Sequence, residues 1–151
     1  MTEKYPIETI RHSLSHIMAA AVLEIFPEAH LGIGPSIDNG FYYDFDLPRT
    51  LIPEDLPLIE EKMHALIDQN LPFERIEINI DEALQKLKDT QEKYKTELLE
   101  DLKKNGETDV SLYKTGNFVD LCRGPHIENS SDLKKVAIKM DKIHRACMRV
   151  S

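Results

Sequence analysis

Helical and strand periodicities interleave along this chain of 151 residues, and three features predict an α+β fold, a mainly antiparallel sheet with helices packed on one face. Apolar residues recur at three- and four-residue steps in two stretches, about 9–26 and 53–70. An Asn-Gly pair separates two β-rich runs, the usual mark of a tight hairpin. Two more β-rich runs, DVSLYKTG and NFVDLC, follow each other closely enough to pair. Helices mixed with antiparallel strands in this way bury their apolar stripes by layering against a sheet.

The first helix is expected from about Thr9 to Phe26, where Ile10, Leu14, Ile17, Met18, Ala21 and Ile25 form a stripe and Pro27 stops the run. His12 and His16 lie one turn apart on its other side, beside Ala19 and Leu23. HLGIGPSI and GFYYDFDL then flank Asp38-Asn39-Gly40, with Gly32 and Gly34 marking close backbone approach or a bulge. Pro53-Glu54-Asp55 opens a second helix running to about Asn70, since a first turn tolerates the missing N–H and favours acids. PFERIEINI reads as a strand, Asp81 as the cap of a short helix, and a charged helix continues toward Asn105-Gly106. DVSLYKTG and NFVDLC complete the set as a strand pair.

No repeat, linker or low-complexity stretch interrupts the chain, so it reads as a domain over 1–130 with a basic amphipathic segment, 131–151, packed on it. In that segment Leu133, Val136, Ala137, Met140, Ile143, Cys147 and Val150 fall on one arc of a helical wheel and the lysines and arginines on the other, which predicts a terminal helix capped by Ser131-Asp132. Its charged arc fits either a solvated face or a surface for RNA or a partner.

Charge narrows the function classes. Nineteen Lys and Arg against 27 Asp and Glu give a net −8, which repels phosphate and disfavours an extended electrostatic grip on nucleic acid. Residues 132–151 depart from this, with six Lys/Arg and two Asp, a local +4 that leaves −12 on the first 131. At roughly 100–200 residues per domain, the chain is too short to add a nucleotide-activating module. Two cysteines, Cys122 and Cys147, without a secretory leader point to reduced thiols and a cytoplasmic setting. No apolar run approaches the ~18 residues of a membrane span.

The sharpest chemistry lies in His12-x-x-x-His16 together with Cys122-Arg-Gly-Pro-His126. Two imidazoles at i and i+4 project side by side from a helix, able to chelate one metal ion or hold one substrate atom. A thiol and an imidazole around a Gly-Pro turn can complete a tetrahedral zinc set, although the same residues also suit unrelated core or surface positions. Asp120, two residues before Cys122, faces the same way if the segment is a strand. Lys95 can neutralise an oxyanion or a phosphate, or simply be solvated. Tyr42 and Tyr43 alternate across their strand, so one of them faces inward.

RHSLSHIMAAAV, GIGPSIDNGFYYDFDLPRTLIPEDLPLIEEKMHAL, YKTELL and LYKTGNFVDLCRGPHI closely resemble, in order and spacing over roughly residues 5–128, the N-terminal editing domain of bacterial-type threonyl-tRNA synthetases. The HxxxH and CxxxH pairs are shared with alanyl-tRNA editing proteins, but the long flanking runs are of the threonyl type. The resemblance implies hydrolysis of serine wrongly esterified to threonine tRNA. By motif position it makes His12, Lys95 and Asp120 the hydrolytic group, His16, Cys122 and His126 the pocket lining, and Tyr43 a contact for the terminal adenosine.

In the alanyl relatives the quartet His12, His16, Cys122 and His126 would hold zinc, whereas the threonyl branch implies metal-free, water-mediated hydrolysis, so no cofactor is the primary expectation and zinc the alternative. The implied partners are the 3′ end of a mischarged tRNA and a threonyl-tRNA synthetase, or the remaining parts of one. The sequence after CRGPH, SSDLKKVAIKMDKIHRACMRVS, is expected to depart from the family, which makes the chain an excised piece or a freestanding relative. Two other readings compete, a non-catalytic tRNA- or partner-binding module and a zinc-dependent alanyl-type hydrolase.

Overall fold

The structure, a computed structural model, describes residues 5–31, 36–37, 40–46, 52–88, 93–121, 124–136, 140–144 and 147–150. Its elements in chain order are α1 (Ile7–Ile25), β1 (His30–Leu31), β2 (Ser36–Ile37), β3 (Gly40–Asp46), α2 (Asp55–Asp68), β4 (Glu74–Asn79), α3 (Ile80–Lys88), α4 (Lys93–Lys104), β5 (Asp109–Thr115), β6 (Phe118–Leu121), a 3-10 helix Ser130–Leu133, β7 (Met140–His144) and β8 (Cys147–Val150). The α+β class and the antiparallel pairing are as expected. The single sheet is not, because the strands form two sheets and the chain divides into two compact units, Met1–Phe73 with Gly124–Ser151, and Glu74–Arg123. The joints carry Pro72 and Gly124-Pro125, which the sequence offers equally as turns between elements of one domain.

In the first unit α1 is buried nearly all round from Ser13 to Val22. Ile17, Met18, Ala19, Ala21 and Val22 have little or no exposure, each large apolar side chain contributing on the order of 1.5–3 kcal/mol by leaving water. The helix ends at Phe26, whose N–H reaches the Val22 carbonyl at 2.7 Å, one residue before Pro27. In α2 the buried stripe is Ile59, Met63, Leu66 and Ile67. Asp55 sits in its first turn, 4% exposed, and accepts a hydrogen bond from the Ile52 N–H at 2.9 Å.

The five-stranded sheet runs β1-β3-β8-β7, with β2 also paired to β3. Ile37 faces Gly40 in the antiparallel β2/β3 register, so the expected pairing is present with Gly40 as the first residue of β3, while residues 38–39 lie outside the described residues. Gly32 and Gly34 lie outside the described residues. The C-terminal segment corrects the sequence reading. The terminal helix expected over 131–151 is replaced by a single 3-10 turn and a β-hairpin, β7 and β8, which adds to β3 through Phe41↔Val150, Tyr42↔Arg149, Tyr43↔Met148 and Asp44↔Cys147. The physical reason is a register shift between Met140 and Lys142, which inserts one residue and breaks the two-residue alternation. The shift accounts for the three-residue step from Met140 to Ile143. The four-residue step to Cys147 passes from β7 to β8 and the step to Val150 is an odd one along an unbulged strand, so the helical spacing of 140, 143, 147 and 150 is a coincidence. The cap is also displaced, since Asn129 and Asp132 form the capping box of the 3-10 turn in place of Ser131-Asp132.

A clamp closes this unit. Pro72 and Asn129 form an antiparallel bridge, with the Phe73 N–H donating to the Glu128 carbonyl and the Ser130 N–H to the Leu71 carbonyl, both at 2.8 Å. Ser130 is fully buried. Its Oγ accepts from the Leu71 N–H at 2.8 Å and reaches the Leu66 carbonyl at 2.9 Å and the Ile67 carbonyl at 3.1 Å, carbonyls in the last turn of α2 that otherwise accept only long backbone bonds, from the Gln69 and Asn70 N–H groups at 3.3 Å each. The Tyr5 hydroxyl donates to Asp132 and accepts from the Glu128 N–H, tying the entry of α1 to the same turn.

The second unit is a three-stranded sheet, β4-β5-β6, with α3 and α4 packed around a core of Ile80, Ala83 and Leu99. Asn79, rather than Asp81, supplies the cap of α3, its side-chain oxygen accepting the Asp81 N–H at 2.8 Å. The end of α4 is a Schellman turn, with Glu107 N–H to Leu102 C=O at 3.0 Å and Gly106 N–H to Lys103 C=O at 3.1 Å. Gly106 takes a φ of +91°, which explains a glycine there. Among the described residues no helix is long and apolar enough to cross a membrane.

Candidate active site

The HxxxH motif and the His of CxxxH come together in the first unit. His12 and His126 stack with ring centroids 4.3 Å apart and planes 25° apart, and His16 meets His126 edge-on at 5.0 Å. Helix α1 supplies the first two at i and i+4. The third arrives through Gly124, whose φ of +74° only a residue without a Cβ adopts readily, so the chain turns back onto the helix one residue before Pro125.

Two residues that the sequence reading did not single out complete the cluster. Phe73 packs against both His16 and His126 at 5.3 Å, forming an apolar wall. Ser13, fully buried between the two helical histidines in sequence, places its Oγ 3.0 Å from His126 Nδ1 and accepts the Ile127 N–H at 3.1 Å. A serine inside an apolar helical stretch, next to a histidine, was the signal available for Ser13; Phe73 reads simply as a strand residue.

The surroundings set the protonation of His126. Burial disfavours its imidazolium, and His16 and then His12 oppose a further positive charge, so its pKa falls from the ordinary 6.5 to about 2. It is neutral at pH 7, able to offer one N–H and one lone pair. His16 is 3% exposed.

The other predicted residues are placed as follows. Asp120 lies on β6 opposite Tyr113, 8% exposed, in the second unit. Lys95 lies in the first turn of α4 in that same unit, and its side chain is outside the described part. Tyr43 is in β3, paired with Met148, its side chain likewise outside the described part. Cys122 lies outside the described residues.

The described imidazoles do not fit a shared zinc ion. Zinc needs in-plane nitrogen lone pairs converging on one point, whereas the stacking of His12 on His126 sets two of them side by side. Among the described residues no three His, Cys, Asp or Glu side chains are placed to hold a metal together.

Comparison with known proteins agrees with the motifs. Residues 110–150 match the family described as threonyl and alanyl tRNA synthetase second additional domain. The chain is 59% identical over 128 residues to a threonine–tRNA ligase of Dehalococcoides mccartyi, covering 85% of this chain and 21% of that protein. It is 50% identical over 151 residues to a threonine–tRNA ligase of Citrifermentans bemidjiense, covering 99% of this chain and 23% of that one. A threonine–tRNA ligase of Clostridium tetani is 50% identical over 131 residues, 87% of this chain and 20% of its own length. The chain thus spans about a fifth of the length of these relatives.

The segment after His126, expected to leave the family pattern, instead lies within the family match and within the 151-residue alignment, so that expectation is corrected. Motifs, fold class and this agreement along the chain together lead to one conclusion: the chain is similar over most of its length to the editing-domain region of threonyl-tRNA synthetases, and its residues 110–150 match the threonyl and alanyl tRNA synthetase second additional domain.

Proposed function

We propose that the chain hydrolyses the ester of seryl-tRNA(Thr), the proofreading step that a threonine-specific synthetase needs. A pocket built for threonine excludes serine poorly, because one missing methyl is worth only about 1–3 kcal/mol. A second, hydrolytic site removes the product that slips through. The observation that carries the reading is the trio of buried His16 and half-buried His12 and His126, assembled from the two motifs around a neutral imidazole.

In this reading His12 activates water or contacts the terminal ribose, Lys95 stabilises the developing oxyanion, and Asp120 holds the seryl amino group or the water. His16, Cys122 and His126 line the pocket, and Tyr43 contacts the terminal adenosine. Neutrality suits His126 to hydrogen bonding without attracting the tRNA phosphates. No step is routed through a metal ion, since the described imidazoles are stacked rather than convergent. The partners are the 3′ end of a mischarged tRNA and the rest of a threonyl-tRNA synthetase, in the cytoplasm. Deacylation of seryl-, alanyl- and threonyl-tRNA tests the reading: selective loss of serine supports it, selective loss of alanine favours an alanyl-type hydrolase, and no turnover leaves a binding module.

A further inference from the structure

We propose that Ser13 is a positioning residue that fixes His126 as the tautomer with a bare Nδ1 and a protonated Nε2, so that His126 serves the site as an Nε2–H donor. The proposal rests on the hydrolytic reading for its consequence, but its geometry stands by itself. Ser13 Oγ accepts the Ile127 N–H at 3.1 Å and lies 3.0 Å from His126 Nδ1. The serine has no exposure to water, so its hydroxyl hydrogen must find a protein acceptor. An oxygen already receiving a backbone N–H satisfies its one donor by turning that hydrogen to the ring nitrogen, which must then carry a lone pair.

Consequences follow for the reaction. A ring whose Nδ1 accepts from serine has its remaining proton at Nε2 and cannot take a second there, so His126 is a hydrogen-bond donor and not the base that activates water. That division leaves water activation to another group, and it assigns to His126 the donation of a hydrogen bond to an oxygen of the substrate ester or ribose. The serine is held in turn by the backbone of the residue following His126, so helix α1 and the 124–127 turn orient the ring jointly.

The test is the long-range proton–nitrogen NMR spectrum of the 15N-histidine-labelled chain, paired with steady-state deacylation of seryl-tRNA by the wild type, Ser13→Ala and Ser13→Thr. Expected are a bare Nδ1 and a protonated Nε2 on His126 in the wild type. Ser13→Ala should lose the hydrogen-bond signature at Nδ1 and lower kcat about tenfold with little change in KM, the size of one orienting hydrogen bond of about 1–1.5 kcal/mol. Ser13→Thr, which keeps the hydroxyl, should recover both. A proton on His126 Nδ1 in the wild type overturns the proposal, as does a folded Ser13→Ala with full kcat. Should Ser13→Ala fail to fold, the wild-type spectrum still decides. If the wild type deacylates no aminoacyl-tRNA, the hydrolytic reading fails while the spectrum separately reports whether Ser13 sets the tautomer.

Discussion

His126 lies face to face with His12, ring centroids 4.3 Å apart, although 113 residues of chain separate it from Ser13, its hydrogen-bonding neighbour on the same helix. Long-range closure of this kind is what converts two short motifs into a site. It also places a titratable ring where charge is unwelcome.

Stability should therefore depend on pH through His126. Its folded pKa of about 2 is below the ordinary 6.5, so between those values the unfolded chain binds the proton and the folded one does not. The contribution is fully present above pH 6.5 and is lost progressively as pH falls toward 2, with a slope of up to about 1.4 kcal/mol per pH unit. Urea midpoints at pH 7, 6 and 5 should decline, and His126→Gln should flatten that decline. An equal pH response in both proteins would contradict the account.

Ser130→Ala should cost about 1–3 kcal/mol, because it strands the Leu71 N–H and removes the hydroxyl from the end of α2. Thermal unfolding measures this directly. Substitution of Ser131, one residue on and partly exposed, should cost markedly less.

In the second unit two substitutions separate packing from backbone conformation. Leu99→Ala empties a fully buried position in a small core and should cost about 2–5 kcal/mol. Gly106→Ala meets no atom within 4 Å of the added Cβ, so its whole cost, about 1 kcal/mol, comes from a positive φ. Gly106→Asn should recover part of that loss, since asparagine tolerates the left-handed region; denaturant curves for the three variants provide the comparison.

Activity and metal content test the chemistry. His12→Ala, Lys95→Ala and Asp120→Ala should each lower seryl-tRNA deacylation by at least about 100-fold if they provide acid–base or oxyanion assistance. Full activity in all three would remove the assignment. Metal analysis of the purified chain before and after chelation should find neither stoichiometric zinc nor a chelator effect on kcat.

Local chemistry made much of this molecule legible before its structure. The Asp38-Asn39-Gly40 break between two β-rich runs announced the β2/β3 pairing, and Pro27 the end of α1 and Gly106 the end of α4, the last two through backbone preferences that neighbours do not overrule. The pairing of HxxxH with CxxxH brought His12, His16 and His126 to one place on paper as in space. What stayed hidden was decided at a distance. The inserted residue between Met140 and Lys142 put Met140 and Ile143 at a helical spacing, and it is pairing with β3 that selects a strand for β8. Ser13 and Phe73 escaped notice because their importance lies in partners many residues away.

The bridge between Pro72 and Asn129 also dictates an order of events during folding. Its two sides are joined by more than fifty residues, and closing an unstructured loop of that length costs about 3–4 kcal/mol. Early collapse of residues 74–123 around Leu99 would shorten the loop and lower this barrier. On a ribosome, α1 must then wait with its histidines unmatched until residue 127 has emerged, so the site is a late product of synthesis. Pulsed hydrogen exchange during refolding should show β4–β6 protected before the amides of Phe73 and Ser130, and the reverse order would refute this sequence.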